Sequence, residues 1–85
     1  MRYRLTVVGG HDETRSVVLD RILAAHLSVA SLDLASLNNR RTTNWDLVFA
    51  REDETVGEQM FARWVAEPPR QPPYPMGALL AVEAR

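Results

Sequence analysis

Cysteine is absent from this chain of 85 residues, so disulfide bonds and thiolate metal sites are excluded. Lysine is absent as well, because all 10 basic residues are arginine. We interpret the excess of arginine as a bias of the coding sequence and not as a selected role for guanidinium groups. The apolar fraction of 46% and the charged fraction of 25% are those of an ordinary globular domain.

The chain also lacks a large excess of either charge, and it lacks long apolar runs. A net charge of −1 gives no general attraction to nucleic acids or to anionic membranes. No apolar run approaches the roughly 20 residues that a membrane-spanning helix needs, and the N-terminus lacks the apolar core of a signal peptide. We therefore expect a cytoplasmic protein, or a domain of a longer one, with no membrane span and with residues 1–85 folded as a single domain.

The first part of the sequence predicts a strand, a two-glycine turn and a helix. Apolar and polar residues alternate from Tyr3 to Val8, which is typical of a strand with one buried face. Gly9 and Gly10 suit a sharp turn, and Asp12 is the predicted N-cap of the helix. The apolar stripe of this helix is predicted to be Val18, Leu19, Ile22, Leu23 and His26.

The second half repeats this pattern more weakly. Extended runs are predicted at Ser28–Leu37, Trp45–Ala50 and Gly77–Ala84, and a polar hairpin loop at Asn38–Asn44. In the last run, Leu80 and Val82 are predicted to face one way and Leu79 and Glu83 the other. Thr55 and Glu58 fit a capping box that begins a second helix, whose stripe is Val56, Met60, Phe61, Trp64 and Val65.

All 5 prolines lie between Pro68 and Pro75, a segment that we interpret as a stiff, extended crossing to the last strand. The predicted order of elements is therefore β-α-β-β-α-β. This order is that of the ferredoxin-like class of α+β folds, with two helices on one face of a four-stranded antiparallel sheet. We predict this fold for the single domain of residues 1–85.

The most suggestive polar cluster is Gly9, Gly10, His11 and Asp12, which we name as a tentative effector-binding site. Backbone N–H groups in a glycine turn and at a helix N-terminus attract anions. Asp12 and Glu13 stand at the same helix start, however, and would repel a phosphate. A plain turn with a helix cap is the alternative for these residues.

Catalytic and metal-binding patterns are absent from the sequence. With two histidines and no cysteine, the sequence does not favour a metal site. His26 is predicted to be a partly buried residue of the helix stripe. The acidic run at 52–54 is typical of a solvated loop. An acylphosphatase-like hydrolase would need a positioned arginine and asparagine, and the spacing of Arg15 and Asn44 supports nothing in particular. We predict no enzyme and no cofactor.

Nucleic-acid binding is not expected either. Arg40 and Arg41 at the hairpin tip could contact a phosphate backbone. RNA-binding sheets of this topology, however, stack bases on aromatic residues of the open face. Here the aromatic residues of the first and third strands, Tyr3, Trp45 and Phe49, are predicted to face the helices.

Self-association is favoured instead. An open sheet face that carries Val8, Val48, Leu79 and Ala81 would be patchily apolar, and an uncapped sheet has edge strands with unpaired backbone groups. A small domain also has little core of its own. We therefore predict a homodimer that forms by stacking of sheets or by pairing of edge strands.

The chain resembles the ACT and ACT-like small regulatory domains. The resemblance covers most of the chain and is carried by residues 5–9, which are similar to the family's first strand and glycine turn. Residues 27–32 are similar to the entry into its second strand, with Ser28 at an asparagine position. The resemblance implies the order β-α-β-β-α-β, a dimer, and a site for an amino acid or another small effector near the first turn.

Two positions depart from the family pattern. Residues 11–13 stand where a proline-glycine effector turn is usual, and His26 stands at a glycine position. Residues 3–37 are also similar to the soluble C-terminal domain of MgtC-type membrane proteins, which are linked to magnesium homeostasis. That domain has no obvious equivalent of the proline crossing.

These observations lead to two functional hypotheses. The first is a non-enzymatic, dimeric regulatory or interaction module with a small-effector site at the first strand–helix turn. The alternative is a protein-interaction adaptor that binds a macromolecular partner through an edge strand or through the proline-rich segment at 68–75.

Overall fold

The computed structural model describes residues 1–38, 41–69 and 71–85. Its elements are β1 (Arg2–Val8), α1 (His11–Ala24), β2 (Val29–Asn38), β3 (Thr42–Phe49), α2 (Glu54–Ala66) and β4 (Leu79–Ala84), with a short 3-10 turn at Arg51–Asp53. The strands form one four-stranded antiparallel sheet in the order β2-β3-β1-β4. The predicted α+β architecture, with two helices and a four-stranded antiparallel sheet, is confirmed.

Both helices pack on the same face of the sheet. The ring of Tyr3 in β1 lies 5.5 Å from the ring of Phe61 in α2, and the indole of Trp45 in β3 contacts Thr14 in α1. Tyr3 pairs with Leu47 in the neighbouring strand, which puts it on the same face as Trp45. The space between this face and the helices holds the core, whose buried apolar residues are Tyr3, Leu5, Val7, Val18, Ile22, Trp45, Leu47, Phe49, Met60, Phe61, Trp64 and Leu79.

The first helix begins earlier than predicted and is rotated about its axis. Gly10 is the N-cap, so the prediction of Asp12 as the cap is wrong. The buried residues of α1 are Thr14, Val18 and Ile22, whereas Leu23 in the predicted stripe is 73% exposed. Thr14 can lie on this buried side, together with Val18 and Ile22, because its hydroxyl has hydrogen-bond partners inside the protein.

His26 lies beyond the helix and is exposed, so its prediction as a partly buried member of the stripe is wrong. Its φ of 57° falls in the left-handed region that favours glycine. The His26 N–H donates to the Leu23 carbonyl at 3.0 Å, and the Leu27 N–H donates to the Ile22 carbonyl at 3.1 Å. These two bonds form a Schellman motif, which ends α1 and directs the chain into β2.

The hairpin between β2 and β3 is tighter than the predicted loop at Asn38–Asn44. Strand β3 already begins at Thr42, because threonine is β-branched and suits a strand. Thr43 is fully buried and its hydroxyl donates to the Gly9 carbonyl at 2.9 Å. Asn39 and Arg40 lie outside the described residues, and so does the prediction that concerned Arg40.

The second helix also begins two residues before the predicted start. Its N-cap is Asp53, so the capping box of Thr55 and Glu58 is wrong. The Glu58 carboxylate instead accepts a hydrogen bond from the Tyr3 hydroxyl. Of the predicted stripe, Met60, Phe61 and Trp64 are buried, Val65 is half-buried and Val56 is 45% exposed.

Strand β4 pairs with β1 through a shift in register between Thr6 and Val7. The shift turns Leu79 into the core, where it is 5% exposed, so its prediction on the open face is wrong. The described part of the proline-rich segment bends at Gln71–Pro73, so it is not one straight extended run, and a turn at Met76–Gly77 follows it. In the described parts of the chain, no helix has the length and apolarity to cross a membrane.

Candidate functional site

The turn between β1 and α1 is held by backbone and side-chain contacts with the β3 strand and its hairpin. Gly9 is buried and has a φ of 128°, a conformation that side chains disfavour. Its N–H donates to the Arg41 carbonyl at 2.6 Å, and its carbonyl accepts from the Thr43 hydroxyl. The residue that follows β1 is therefore fixed against the start of β3.

Thr14 anchors the first turn of α1 from inside. Its hydroxyl donates to the Gly10 carbonyl at 2.6 Å and accepts from the Trp45 indole N–H at 2.8 Å. Thr14 and Trp45 are almost completely buried, so these bonds satisfy polar groups that water cannot reach. The position of the glycine turn is thus coupled to the packing of a large core residue.

A cavity of about 410 Å³ opens beside this turn. Cavities of this volume are in the range that small ligands occupy. Its wall is formed by the turn, the first turn of α1 and the end of the β2–β3 hairpin: Gly9, Gly10, Glu13, Leu37, Asn38, Arg41, Thr42 and Thr43. Two of the tentative site residues, Gly9 and Gly10, therefore line a cavity.

The other two tentative site residues, His11 and Asp12, are not part of this wall. The His11 ring lies 5.1 Å from the Trp45 ring, and its Nδ1 is 2.8 Å from an Asp12 carboxylate oxygen. Both residues are exposed. His11 and Asp12 therefore contact each other at the start of α1, but they do not line the cavity.

One basic and one acidic side chain flank the cavity. A Glu13 carboxylate oxygen accepts a hydrogen bond of 3.3 Å from the Gly10 N–H, which occupies that donor of the turn. Arg41 is exposed and also lines the cavity. A ligand that carries groups of both signs fits this pair better than a plain anion, because Glu13 repels negative charge.

Within residues 1–38, 41–69 and 71–85, no group of three or more metal-ligating side chains lies close enough together to hold a metal ion.

On the open sheet face, Arg4 donates to both Asp46 oxygens, at 2.9 and 3.1 Å. The hydrogen bonds from Arg4 lower the pKa of Asp46. The aromatic rings of Tyr3, Trp45 and Phe49 are buried under the helices, as predicted.

Two residues around the turn, Thr14 and Thr43, were not singled out from the sequence, and Arg41 was considered there only as a contact for a phosphate backbone. Thr14 was hidden because threonine is an ordinary residue on the polar side of a helix. Its spacing of four from Val18 is the signal that could have revealed it, since Thr14, Val18 and Ile22 form one regular stripe. The contacts of Arg41 and Thr43 with Gly9 cross more than 30 residues of sequence and leave no local signal.

No protein family model matches the chain, and no curated protein or solved structure is significantly similar to it. Its function is therefore inferred from its own residues. The best-built feature at the predicted site is the cavity beside the Gly9–Gly10 turn.

Proposed function

We propose that this chain is a non-enzymatic, dimeric regulatory module of the ACT-like, ferredoxin-like class, which binds a small effector at the first strand–helix turn in the cytoplasm. The cavity beside Gly9 and Gly10 carries this proposal. The element order and the sheet order β2-β3-β1-β4 are compatible with that class.

The charges around the cavity indicate the kind of effector. Arg41 can pair with a carboxylate, and Glu13 can pair with an ammonium group. A zwitterionic amino acid carries both groups at a short spacing. The small size of Gly10 leaves room for such a head group beside the helix N-terminus, since a side chain there would meet no atom within 4 Å.

The Gly10→Val variant tests this site. We expect it to fold, because Gly10 has an ordinary φ of −82° and open space around it, and we expect the new side chain to occupy the cavity. An effector at 100 times its Kd stabilises a protein by about 2.7 kcal/mol, which is roughly 10–20 °C in Tm at this chain length. A thermal-shift screen of amino acids, nucleotides and divalent cations should find such a stabiliser in the wild type but not in Gly10→Val.

The matched control is Gly10→Ser, which keeps an N-cap residue and adds little volume. It should retain most of the ligand-induced shift. A stabiliser that acts equally on the wild type and on Gly10→Val would place the effector elsewhere. A wild type that responds to none of the compounds would contradict the proposal.

Dimerisation is proposed to use the β2 edge of the sheet. Leu34 and Leu37 pair with Trp45 and Thr43, so they lie on the helix side of the sheet, yet they are 43% and 61% exposed. Large apolar side chains beside an unpaired edge strand favour contact with another chain. Leu37 also lines the effector cavity, so a second copy at this edge would lie next to the effector.

The Leu34→Lys variant tests this interface without altering the cavity wall. We expect light scattering to give a dimer for the wild type and a monomer for Leu34→Lys, because a buried, unpaired ammonium group is costly. Ala81→Lys, on the opposite edge strand, is the control and should remain dimeric. Dissociation of Ala81→Lys alone would move the interface to β4, and a wild type that is monomeric at all concentrations would favour the adaptor hypothesis instead.

A further inference from the structure

A second cavity lies between the two helices and the proline-rich segment. It measures about 370 Å³. Its apolar wall includes Val17 of α1, Leu79 of β4 and Pro75. Tyr74 adds aromatic surface, and the almost fully buried ring of Trp64 also borders the cavity. Clefts that combine aromatic side chains with a few convergent polar groups are typical of small-molecule sites.

Among the described residues of this wall, Arg21 and Glu67 form an ion pair. The Arg21 guanidinium donates two parallel hydrogen bonds to the Glu67 carboxylate, Nη1 to Oε1 at 2.6 Å and Nη2 to Oε2 at 2.8 Å. The same guanidinium lies 4.9 Å from the centre of the Trp64 ring. Stacking and the paired hydrogen bonds hold the planar group in one orientation at the cavity wall.

Both charges persist near neutral pH. The hydrogen bonds between them raise the pKa of Arg21 and lower the pKa of Glu67. Each side chain is nevertheless partly open to solvent, with exposed fractions of 40% and 47%. The pair can therefore accept further hydrogen-bonding partners, because Glu67 uses only two of the five N–H donors of Arg21.

The pair has no net charge, and this decides the chemistry of the ligand. A charged head group of either sign would gain attraction from one member of the pair and suffer repulsion from the other at nearly the same distance. Its loss of hydration would then go uncompensated. An uncharged head group that both donates and accepts hydrogen bonds can contact Arg21 with its oxygen and Glu67 with its N–H group.

We propose that this cavity is a binding site for a small, uncharged molecule that has a flat aromatic body and a carboxamide-like head group. The body lies between Tyr74 and the stacked Arg21–Trp64 pair. The head group spans the two charges. This cavity shares no wall residue with the cavity at the glycine turn. The two cavities are nevertheless neighbours, since the N–H of the wall residue Gly77 donates to the Val8 carbonyl next to that turn at 2.7 Å.

Three small aromatic probes whose head groups are neutral, negative and positive test the proposal: benzamide, benzoate and benzylammonium. The Trp45→Phe variant leaves Trp64 as the sole tryptophan, so its emission reports on this cavity. We expect saturable binding of benzamide with a Kd on the order of 1 mM, as for a fragment. We expect the two charged probes to bind at least about tenfold more weakly.

Two charge-removing variants sharpen the test. In Glu67→Gln the positive Arg21 remains without its partner, so the preference should change from benzamide to benzoate. In Arg21→Gln the negative Glu67 remains without its partner, and benzylammonium should bind best. Arg15→Gln, on the exposed face of the same helix, should bind the three probes as the wild-type cavity does.

Amide NMR spectra of the wild type supply a readout that does not depend on the tryptophan substitution. Benzamide should shift the resonances of Gly77, Ala78 and Leu80 and leave those of Gly10 and Glu13 unchanged. Shifts centred on the glycine turn would overturn the proposal. So would the absence of saturable binding in both measurements, or an unchanged order of probes in the two charge-removing variants.

Discussion

Replacing Gly57 with alanine is expected to destabilise the domain by a net of about 1–2 kcal/mol, although alanine favours a helix by about 1 kcal/mol over glycine. Gly57 is a buried residue of α2 that faces the Phe49 ring. A methyl group there would lie 2.6 Å from Phe49 Cδ2 and Cζ, and closer still to Cε2. Overpacking of this kind costs about 1–3 kcal/mol.

The Phe49 ring has little freedom to move away. It is 4% exposed and packs against Tyr3 and Phe61, with ring centroids 6.0 and 5.3 Å away. The repulsion therefore outweighs the gain in helix propensity. Urea denaturation should show a lower midpoint at an unchanged m-value.

Two controls separate this clash from a general effect of glycine replacement. Gly10→Ala introduces a methyl group into open space and should cost less than about 1 kcal/mol. Gly57→Ala combined with Phe49→Leu should show a favourable coupling energy, because the smaller side chain makes room for the methyl group. A Gly57→Ala variant as stable as the wild type would mean that the aromatic cluster tolerates the added volume.

Replacing Thr14 with valine is the second change for which we expect a large effect, a loss of about 2 kcal/mol in the free energy of unfolding. Valine has nearly the shape of threonine but cannot hydrogen-bond. The Trp45 indole N–H would then lose its acceptor in a site that is almost fully buried. The Gly10 carbonyl would also lose the bond that it accepts from the Thr14 hydroxyl.

The Thr14→Ser variant keeps the hydroxyl and loses one methyl group, so it should cost only about 1 kcal/mol. In a Trp45→Phe background the Thr14→Val substitution should cost less than in the wild type, because no indole N–H remains to be left unpaired. Equal costs in the two backgrounds, measured by denaturation, would show that the hydrogen bond contributes nothing to stability.

The same substitution connects stability with the proposed effector site. Thr14 joins the core residue Trp45 to the carbonyl of Gly10, which lines the cavity at the turn. A looser turn would weaken effector binding as well as folding. The sequence alone could not reveal this link, since Thr14 and Trp45 are 31 residues apart.

Much of the architecture follows from local patterns. The alternation in β1 correctly predicts that Tyr3, Leu5 and Val7 face the core, because a strand presents successive side chains to opposite faces. The glycine pair correctly predicts the turn, because the φ of Gly9 is open to few other residues. These inferences succeed because the chain's own geometry enforces them within a few residues.

The rotation of α1 about its axis and the register of β4 against β1 could not be predicted in the same way. Leu23 and Leu79 have equal apolar character, yet Leu23 is exposed and Leu79 is buried. Leu23 lies away from the side of α1 that buries Thr14, Val18 and Ile22. Leu79 faces the core because the register of β4 shifts against β1. Both depend on partners that lie far away in the sequence.

The sequence by itself thus determined the order of helices and strands, the inward face of β1 and the place of the glycine turn, because each follows from a periodicity or a conformational preference within a short stretch. Only the tertiary structure decided which polar groups meet. Arg21 pairs with Glu67, which lies 46 residues away in the sequence, and the Arg41 carbonyl accepts a hydrogen bond from the Gly9 N–H. Such contacts depend on packing, so both cavities and the charges around them emerge only when the chain has folded.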